Sequence, residues 1–287
     1  MSNETFHTLL PKFIEDLGQK GRSPSTILAY KADLEQLVDY ATRHSKSEPE
    51  QMEPTDIEAF RDYLLTQNYT PKTVSRKLNA IKTFYRWLID EKFITRDPSK
   101  DVGHPKIESS VPKFLSQLEY RALRDVVRSD PRIAAIIELI LQTGMRISEV
   151  ANLKRYNIEE DRLTIEAHAT QPGRKVELNE AARNAINEYL EVRPKAESEF
   201  LFVSKNGKPL AVRNIRAAID RYMEKAGMPQ YSVNDIRTTF IVENLKRGVD
   251  LVTVSQAAGH KRLSTTERYL ELADIKEPGK EQKLEEL

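Results

Sequence analysis

Apolar residues recur at three- and four-residue intervals from the start of the chain: Phe6, Leu9, Leu10, Phe13, Ile14 and Leu17. That spacing gathers them on one face of an α-helix. Gly18 and Gly21 are its expected stop. Ser23-Pro24-Ser25-Thr26 predicts the next start, with serine as N-cap and proline at the tolerated first position. The second stripe is Ile27, Tyr30, Leu34, Leu37 and Tyr40. A polar stretch from 44 to 53 reads as a loop, and Pro54-Thr55-Asp56 opens a third helix with Ile57, Phe60, Tyr63 and Leu64 inside. Thr70-Pro71-Lys72-Thr73 repeats the start signal, and Val74, Leu78, Ile81, Tyr85 and Leu88 form the inner face of a fourth helix.

The pattern breaks after Asp97. Pro98, Gly103, Pro105, Ser109, Ser110 and Pro112 interrupt any helix and predict an exposed linker. The expected division is a helical domain over 1–100, a linker over 101–113 and a second domain over 114–287. In that second domain Ser116-Gln117-Leu118-Glu119 looks like a helix start. Pro131 begins a helix whose isoleucines and leucines surround it, as in a buried core helix. Leu163-Thr164-Ile165 and the stretch Lys175 to Leu178 are strand-like, with Gln171-Pro172-Gly173 as the turn, and Phe200 to Val203 reads as a third strand. Helices are expected over 212–226, 232–247, 251–258 and 264–272, the last opened by a Ser264/Glu267 capping box. The fold class is therefore mainly α: a four-helix domain, then an α+β domain with a small three-stranded sheet.

Composition narrows the function classes. Lys and Arg number 45 and Asp and Glu 44, so any basic footprint must come from local clustering. The absence of cysteine removes disulfides, thiol nucleophiles and Cys-based zinc sites. Five scattered histidines without a His-Glu-x-x-His pattern give no expectation of a protein-held metal. No run approaches the ~20 apolar residues of a membrane span, and Met1-Ser2-Asn3-Glu4 lacks signal-peptide character; a cytoplasmic protein is expected. On the fourth helix, Lys72, Arg76, Asn79, Thr83 and Arg86 fall opposite the apolar stripe, with Lys77 and Lys82 flanking it. Such a face is either simply solvated or suited to phosphate and base contacts. Lys20, Arg22 and Lys31 are candidates to extend it.

Three segments hold candidate chemistry: Thr143-Gly144-Met145-Arg146-Ile147-Ser148-Glu149, Asn234-Asp235-Ile236-Arg237, and Gly259-His260 with Tyr269 nine residues after the histidine. Attack on a phosphodiester builds charge on its non-bridging oxygens, and arginine forks match those oxygens. Two guanidiniums, a histidine and a tyrosine are the parts needed to break and rejoin such a bond through a phosphotyrosine. Taken singly, Arg146 could be a surface or capping arginine, Asn234 a helix N-cap and His260 a structural histidine. Tyr222 and Tyr231 are exposed alternatives to Tyr269, but neither has the histidine nine positions before it.

The order and spacing of these motifs resemble the tyrosine recombinase (phage integrase) family, most closely its small Xer-like members. The resemblance covers nearly the whole chain, the first domain being similar to the family's SAM-like core-binding domain. It implies a site-specific recombinase whose two domains close around duplex DNA. Tyr269 is then the nucleophile that forms a 3′-phosphotyrosine, Arg146, Arg237 and His260 bind the scissile phosphate, and Glu149 supports Arg146. It also implies DNA contacts through Lys72, Arg76, Lys77, Asn79, Lys82 and Arg86. Other implications are a homotetramer on two duplexes with inverted-repeat core sites, a Holliday-junction intermediate, a C-terminal tail that contacts the next protomer, and no metal or nucleotide cofactor.

Two positions depart from the family pattern. Asn234 replaces its histidine and can bind phosphate without exchanging a proton. The hairpin lysine is missing; His168 or Ala169 aligns there, so His168 is the candidate acid for the leaving 5′ oxygen, with Arg174 and Lys175 as fallbacks. Rival readings are a type IB topoisomerase-like enzyme, a DNA-binding member that has lost catalysis, and a helical interaction protein. Integration, excision and dimer or cointegrate resolution stay open, as does a second recombinase or accessory subunit.

Overall fold

The computed structural model describes residues 4–108, 111–167 and 172–273. The chain forms two units, Met1–Ser110 and Val111–Leu287, each with its own core.

The first unit contains α1 (Phe6–Gln19), α2 (Pro24–Arg43), α3 (Pro54–Thr66) and α4 (Pro71–Asp90). The two expected caps form. Ser23 Oγ accepts the Thr26 N–H at 3.2 Å, and Thr70 Oγ1 accepts that of Thr73 at 3.3 Å. α1 runs past Gly18, and the chain reverses only at Gly21, whose φ of 71° is the left-handed region that glycine enters without strain. Within the expected loop, Pro49–Gln51 forms a 3₁₀ turn that buries Pro49, and Met52 follows it into the core. Val74, Leu78, Ile81, Tyr85 and Leu88 are all 0% exposed. Burial of each such side chain contributes roughly 1.5–3 kcal/mol. Phe84 beside them meets Phe13 of α1 at 5.2 Å between ring centroids.

The exposed stretch expected from residue 101 begins later. Ser99 and Val102 are buried, and Lys82 Nζ donates to the Val102 carbonyl at 2.8 Å. Arg61 donates to the Gly103 carbonyl, and Ser75 bonds His104. Proline and glycine broke the helix here, but one valine and a reaching lysine tie the segment down.

The second unit contains α5 (Gln117–Val127), α6 (Pro131–Thr143), α7 (Ile147–Ala151), strands β1 (Arg162–Ile165) and β2 (Arg174–Glu177), then α8 (Glu180–Val192), α9 (Val212–Lys225), α10 (Val233–Lys246), α11 (Leu251–Ala258) and the single turn α12 (Ser264–Glu267). The Ser116/Glu119 capping box closes α5 as expected. α6 is the buried central helix, packed by α5, α8, α9 and α10. Its buried Glu138 is satisfied by both arms of Arg124 and by Gln142. Strands β1 and β2 pair antiparallel, Arg162 opposite Glu177 and Ile165 opposite Arg174.

The sheet has two strands among the described residues, not the expected three. Phe200 and Val203 make only isolated bridges, to Lys154 and Pro209. The segment is buried, as its composition predicts, but side chains and a loop satisfy its backbone. Arg193 donates to the carbonyls of Ser198, Phe200 and Leu201, the Val203 N–H donates to Tyr189 Oη, and the Leu201 N–H to the Leu153 carbonyl. A ladder is not needed to pair those groups.

Candidate active site

Gly144 ends α6 in the left-handed conformation, φ 62°, where a Cβ would overlap the Phe240 ring. Two residues on, Arg146 is the N-cap of α7, and Glu149 is its third residue. The Glu149 carboxylate closes a box on the Arg146 N–H at 2.8 Å and also accepts from Arg146 Nη1 at 3.1 Å. Arg146 is thus a capping residue whose backbone starts the helix while its side chain is held by the helix's first turn.

α11 ends at Gly259, φ 66°, leaving the last carbonyls without intrahelical partners. Guanidiniums from three elements take them. Arg146 donates to Ala258 O at 3.3 Å and Gly259 O at 2.8 Å. Arg237, from α10, donates to Ala258 O at 2.7 Å and to Gly144 O. Arg174, from β2, donates to Ala257 O at 2.7 Å and grips Glu149 through both terminal nitrogens at 2.9 Å each. The negative end of the α11 dipole and one buried carboxylate therefore gather three cations. A guanidinium has five N–H groups. Three bonds from Arg146 and two from Arg237 leave donors on both for an anionic ligand.

The electrostatics follow. Burial, and after it the neighbouring charge of Arg146, lower the Arg237 pKa to about 9 against the opposing pull of Glu149, so the group stays charged at neutral pH. Burial, then Arg237, Arg146 and Arg174, lower that of His260 to about 4, leaving the imidazole neutral. Burial pushes Glu149 up, but the bonds and charge of Arg174 and Arg146 prevail and hold it below the usual range.

His260 follows Gly259 directly. Its Nδ1 lies 2.7 Å from Thr266 Oγ1, and its ring stacks on Tyr269 at 6.3 Å with 12° between the planes. Tyr269 is half-buried against the core and lies in the turn after α12, not on the second turn of a helix. The expected Ser264/Glu267 box does not form. Leu263 occupies the N-cap position, Ser264 is already helical, and Thr266 is drawn inward to His260.

Arg146, Arg237, His260 and Tyr269 are thus brought together. Asn234 lies one turn before Arg237 on α10, exposed. It is not the N-cap; Ser232 is, boxed with Asp235. His168 and Ala169 lie outside the described residues. The fallback acids do not fit. Arg174 is committed to Glu149 and Ala257, while Lys175 is on the opposite face of β2, 3.8 Å from Glu159. Tyr222 and Tyr231 are half-buried rather than exposed; burial raises both pKa values, and Tyr222 bonds Asp130 at 3.3 Å. Thr266 is a member that sequence reasoning did not place, and Arg174 was offered only as a fallback acid, not as the partner of Glu149. For Arg174 a signal existed: strand alternation puts it on the same face as buried Val176.

On α4, Lys72, Arg76, Asn79 and Arg86 are exposed. Arg76 is not without an acid: Asp33 of α2, 3% exposed, pairs with it and takes Lys77 at 2.9 Å. Lys77 is 6% exposed, over the Tyr69 ring, and belongs to the core's edge. Lys82 is turned to the carbonyls of residues 100 and 102. Lys72, Asn79 and Arg86 have no side-chain polar partner among the described residues.

Comparison with known proteins identifies the family. Residues 113–275 match the phage integrase family, and residues 10–92 match the phage integrase N-terminal SAM-like domain. The chain belongs to the phage integrase family and is a Xer-like tyrosine recombinase. It is 30% identical over 285 residues to tyrosine recombinase XerC of Thermodesulfovibrio yellowstonii, covering 94% of this chain and 92% of that one. Among solved structures it is similar to the XerA recombinase, with 26% identity, 92% of each chain covered and a TM-score of 0.53. It also shares its fold with a lambda integrase dimer bound to a COC′ core site, with 16% identity, 97% of this chain and 80% of that chain covered, and a TM-score of 0.78.

Proposed function

We propose that this recombinase cuts and rejoins duplex DNA at specific sites through Tyr269. The observation that carries the reading is the convergence of Arg146, Arg237 and His260 beside Tyr269. The scissile phosphate sits against the spare N–H groups of Arg146 and Arg237, whose charge offsets that built up in attack. Tyr269 Oη bonds to phosphorus, the bond to the 5′ oxygen breaks, and the phenolic proton leaves to solvent or a nearby base. His168 protonates the departing oxygen, and Asn234 donates an amide N–H to the phosphate. The 5′ hydroxyl of a partner strand reverses the step, so the ester conserves the bond energy.

Duplex DNA with an inverted-repeat core is the partner, and the assembly is a homotetramer that passes through a Holliday junction. The helical domain over 1–100 grips DNA through α4, the linker joins it to the catalytic domain over 114–287, and the tail contacts the next protomer. Lys72, Asn79, Arg86 and Arg76 are the contacts we retain on that helix. No helix among the described residues is long and apolar enough to cross a membrane, and we place the protein with its DNA in the cytoplasm.

The test is covalent trapping on nicked suicide duplexes, with chelator present. A DNA-linked band is expected for the wild type and none for Tyr269→Phe, with DNA affinity kept. An adduct of wild-type yield in Tyr269→Phe would remove Tyr269 as nucleophile.

A further inference from the structure

Thr266 is 0% exposed, and its Oγ1 lies 2.7 Å from His260 Nδ1. Oxygen and nitrogen could each be the donor in that pair. Burial decides between them. The Thr266 N–H donates to the Leu263 carbonyl and its own carbonyl accepts from Tyr269, so its backbone is satisfied. Its hydroxyl has no other partner among the described residues. Were the ring hydrogen on Nδ1, the hydroxyl hydrogen would be left unpaired in a dry setting, at a penalty a buried donor rarely bears. With the hydroxyl donating, Nδ1 accepts, the ring hydrogen sits on Nε2, and no donor is stranded. A neutral imidazole has one N–H, so the two choices exclude each other. Burial, and after it the three guanidiniums around His260, disfavour the doubly protonated ring that would escape the choice.

We propose that Thr266 is a positioning residue that fixes His260 as the Nε2–H tautomer, so that it meets an anionic oxygen as a hydrogen-bond donor. The use of that donor rests on the strand-transfer reading above; the tautomer itself does not. The arrangement gives His260 Nε2 no lone pair, so this nitrogen binds the phosphate and does not take the Tyr269 proton. The proton of the phenol goes elsewhere. The relation is set by six residues of chain: the same turn that carries the hydroxyl to His260 delivers Tyr269 three residues later.

The test is long-range ¹H–¹⁵N correlation spectroscopy of the histidine-labelled full chain without DNA at neutral pH, with His260 assigned by its loss in His260→Gln. The wild type and Thr266→Ser are expected to show Nε2–H with a hydrogen-bonded Nδ1. Thr266→Val, of nearly the same shape, is expected to gain a measurable Nδ1–H population, read as a downfield move of the Nε2 resonance toward the unprotonated range. Covalent adduct formation should fall about ten-fold in Thr266→Val, the lower end of the loss seen when the partner that orients a metal-bound histidine is removed, and recover in Thr266→Ser. An Nδ1–H ring in the wild type overturns the proposal, and does so even if Thr266→Val does not fold. So does an unchanged Nε2 resonance in folded Thr266→Val. If the tautomer shifts as expected but the wild type forms no adduct, the strand-transfer reading fails and the tautomer assignment stands.

Discussion

Arg174 holds Glu149 through both terminal nitrogens, at 2.9 Å each, with only 9% of one side chain and 4% of the other exposed. Its remaining nitrogen, Nε, donates to Ala257 O at the end of α11. One side chain thus ties the β-hairpin to the helix that positions His260 and to the carboxylate that holds Arg146. Gly259 makes room for it: a Cβ there would stand 2.7 Å from Arg174 Nη1.

Arg174→Ala is expected to destabilise the protein by about 3–5 kcal/mol, because it removes the main partner of a buried carboxylate. Arg174→Lys is expected to recover little of this, since an ammonium cannot match two oxygens and a carbonyl at once. Urea unfolding, compared at constant m-value, measures both. A loss below about 1 kcal/mol for Arg174→Ala would mean that the bidentate pair is not structural.

Stability is expected to fall in acid in two stages. The folded His260 pKa, about 4, lies below its unfolded value of roughly 6.5, so between these limits the unfolded chain binds more protons. This contribution is complete above about pH 6.5 and declines as pH falls toward 4. Glu149 is lowered as well; its share is present above the ordinary carboxylate pKa and is lost below it, through its depressed folded value. Thermal unfolding from pH 7.5 to 4.5 should show a slope that His260→Gln flattens. An equal slope in that variant would place the titration on another group.

The basic face of α4 divides into exposed side chains, proposed above as DNA contacts, and side chains bonded into the fold. Lys72→Ala with Arg86→Ala is expected to weaken DNA binding and lower the salt slope by roughly 1.8, about 0.9 for each phosphate no longer neutralised. Lys77→Met is expected to leave that slope unchanged and to reduce stability, because Asp33, 4% exposed at its side chain, is left with one of its two cations. Binding titrations across a salt series, with unfolding curves in parallel, separate the two. A lowered slope in Lys77→Met would return Lys77 to the DNA surface.

What the sequence made legible depended on the distance over which each feature is encoded. Ser23, Thr70 and the Ser116/Glu119 box cap helices within four residues, and local pattern finds them. The apolar stripe of α4 is periodic over about four turns and is equally plain. Asp33 lies 43 and 44 residues from the cations it neutralises, so the sequence of α4 alone does not show their partner. Arg174 lies 25 residues from Glu149 and 83 from Ala257, and no local rule links them. Phe200 to Val203 was correctly apolar, but a buried run does not state whether a strand or a set of side chains will pair its backbone. The box at Ser264 was a true motif that lost to a stronger demand, the bond between Thr266 and His260.

Arg146, Arg174 and Arg237 all tie down the open end of α11. Losing any of them removes hydrogen bonds from that end. A descendant that no longer recombined DNA would still be held to its arginines by the need to fold. Arginines in this arrangement are therefore kept for architecture as well as for chemistry, and only in company with the histidine and tyrosine do they speak for a working site.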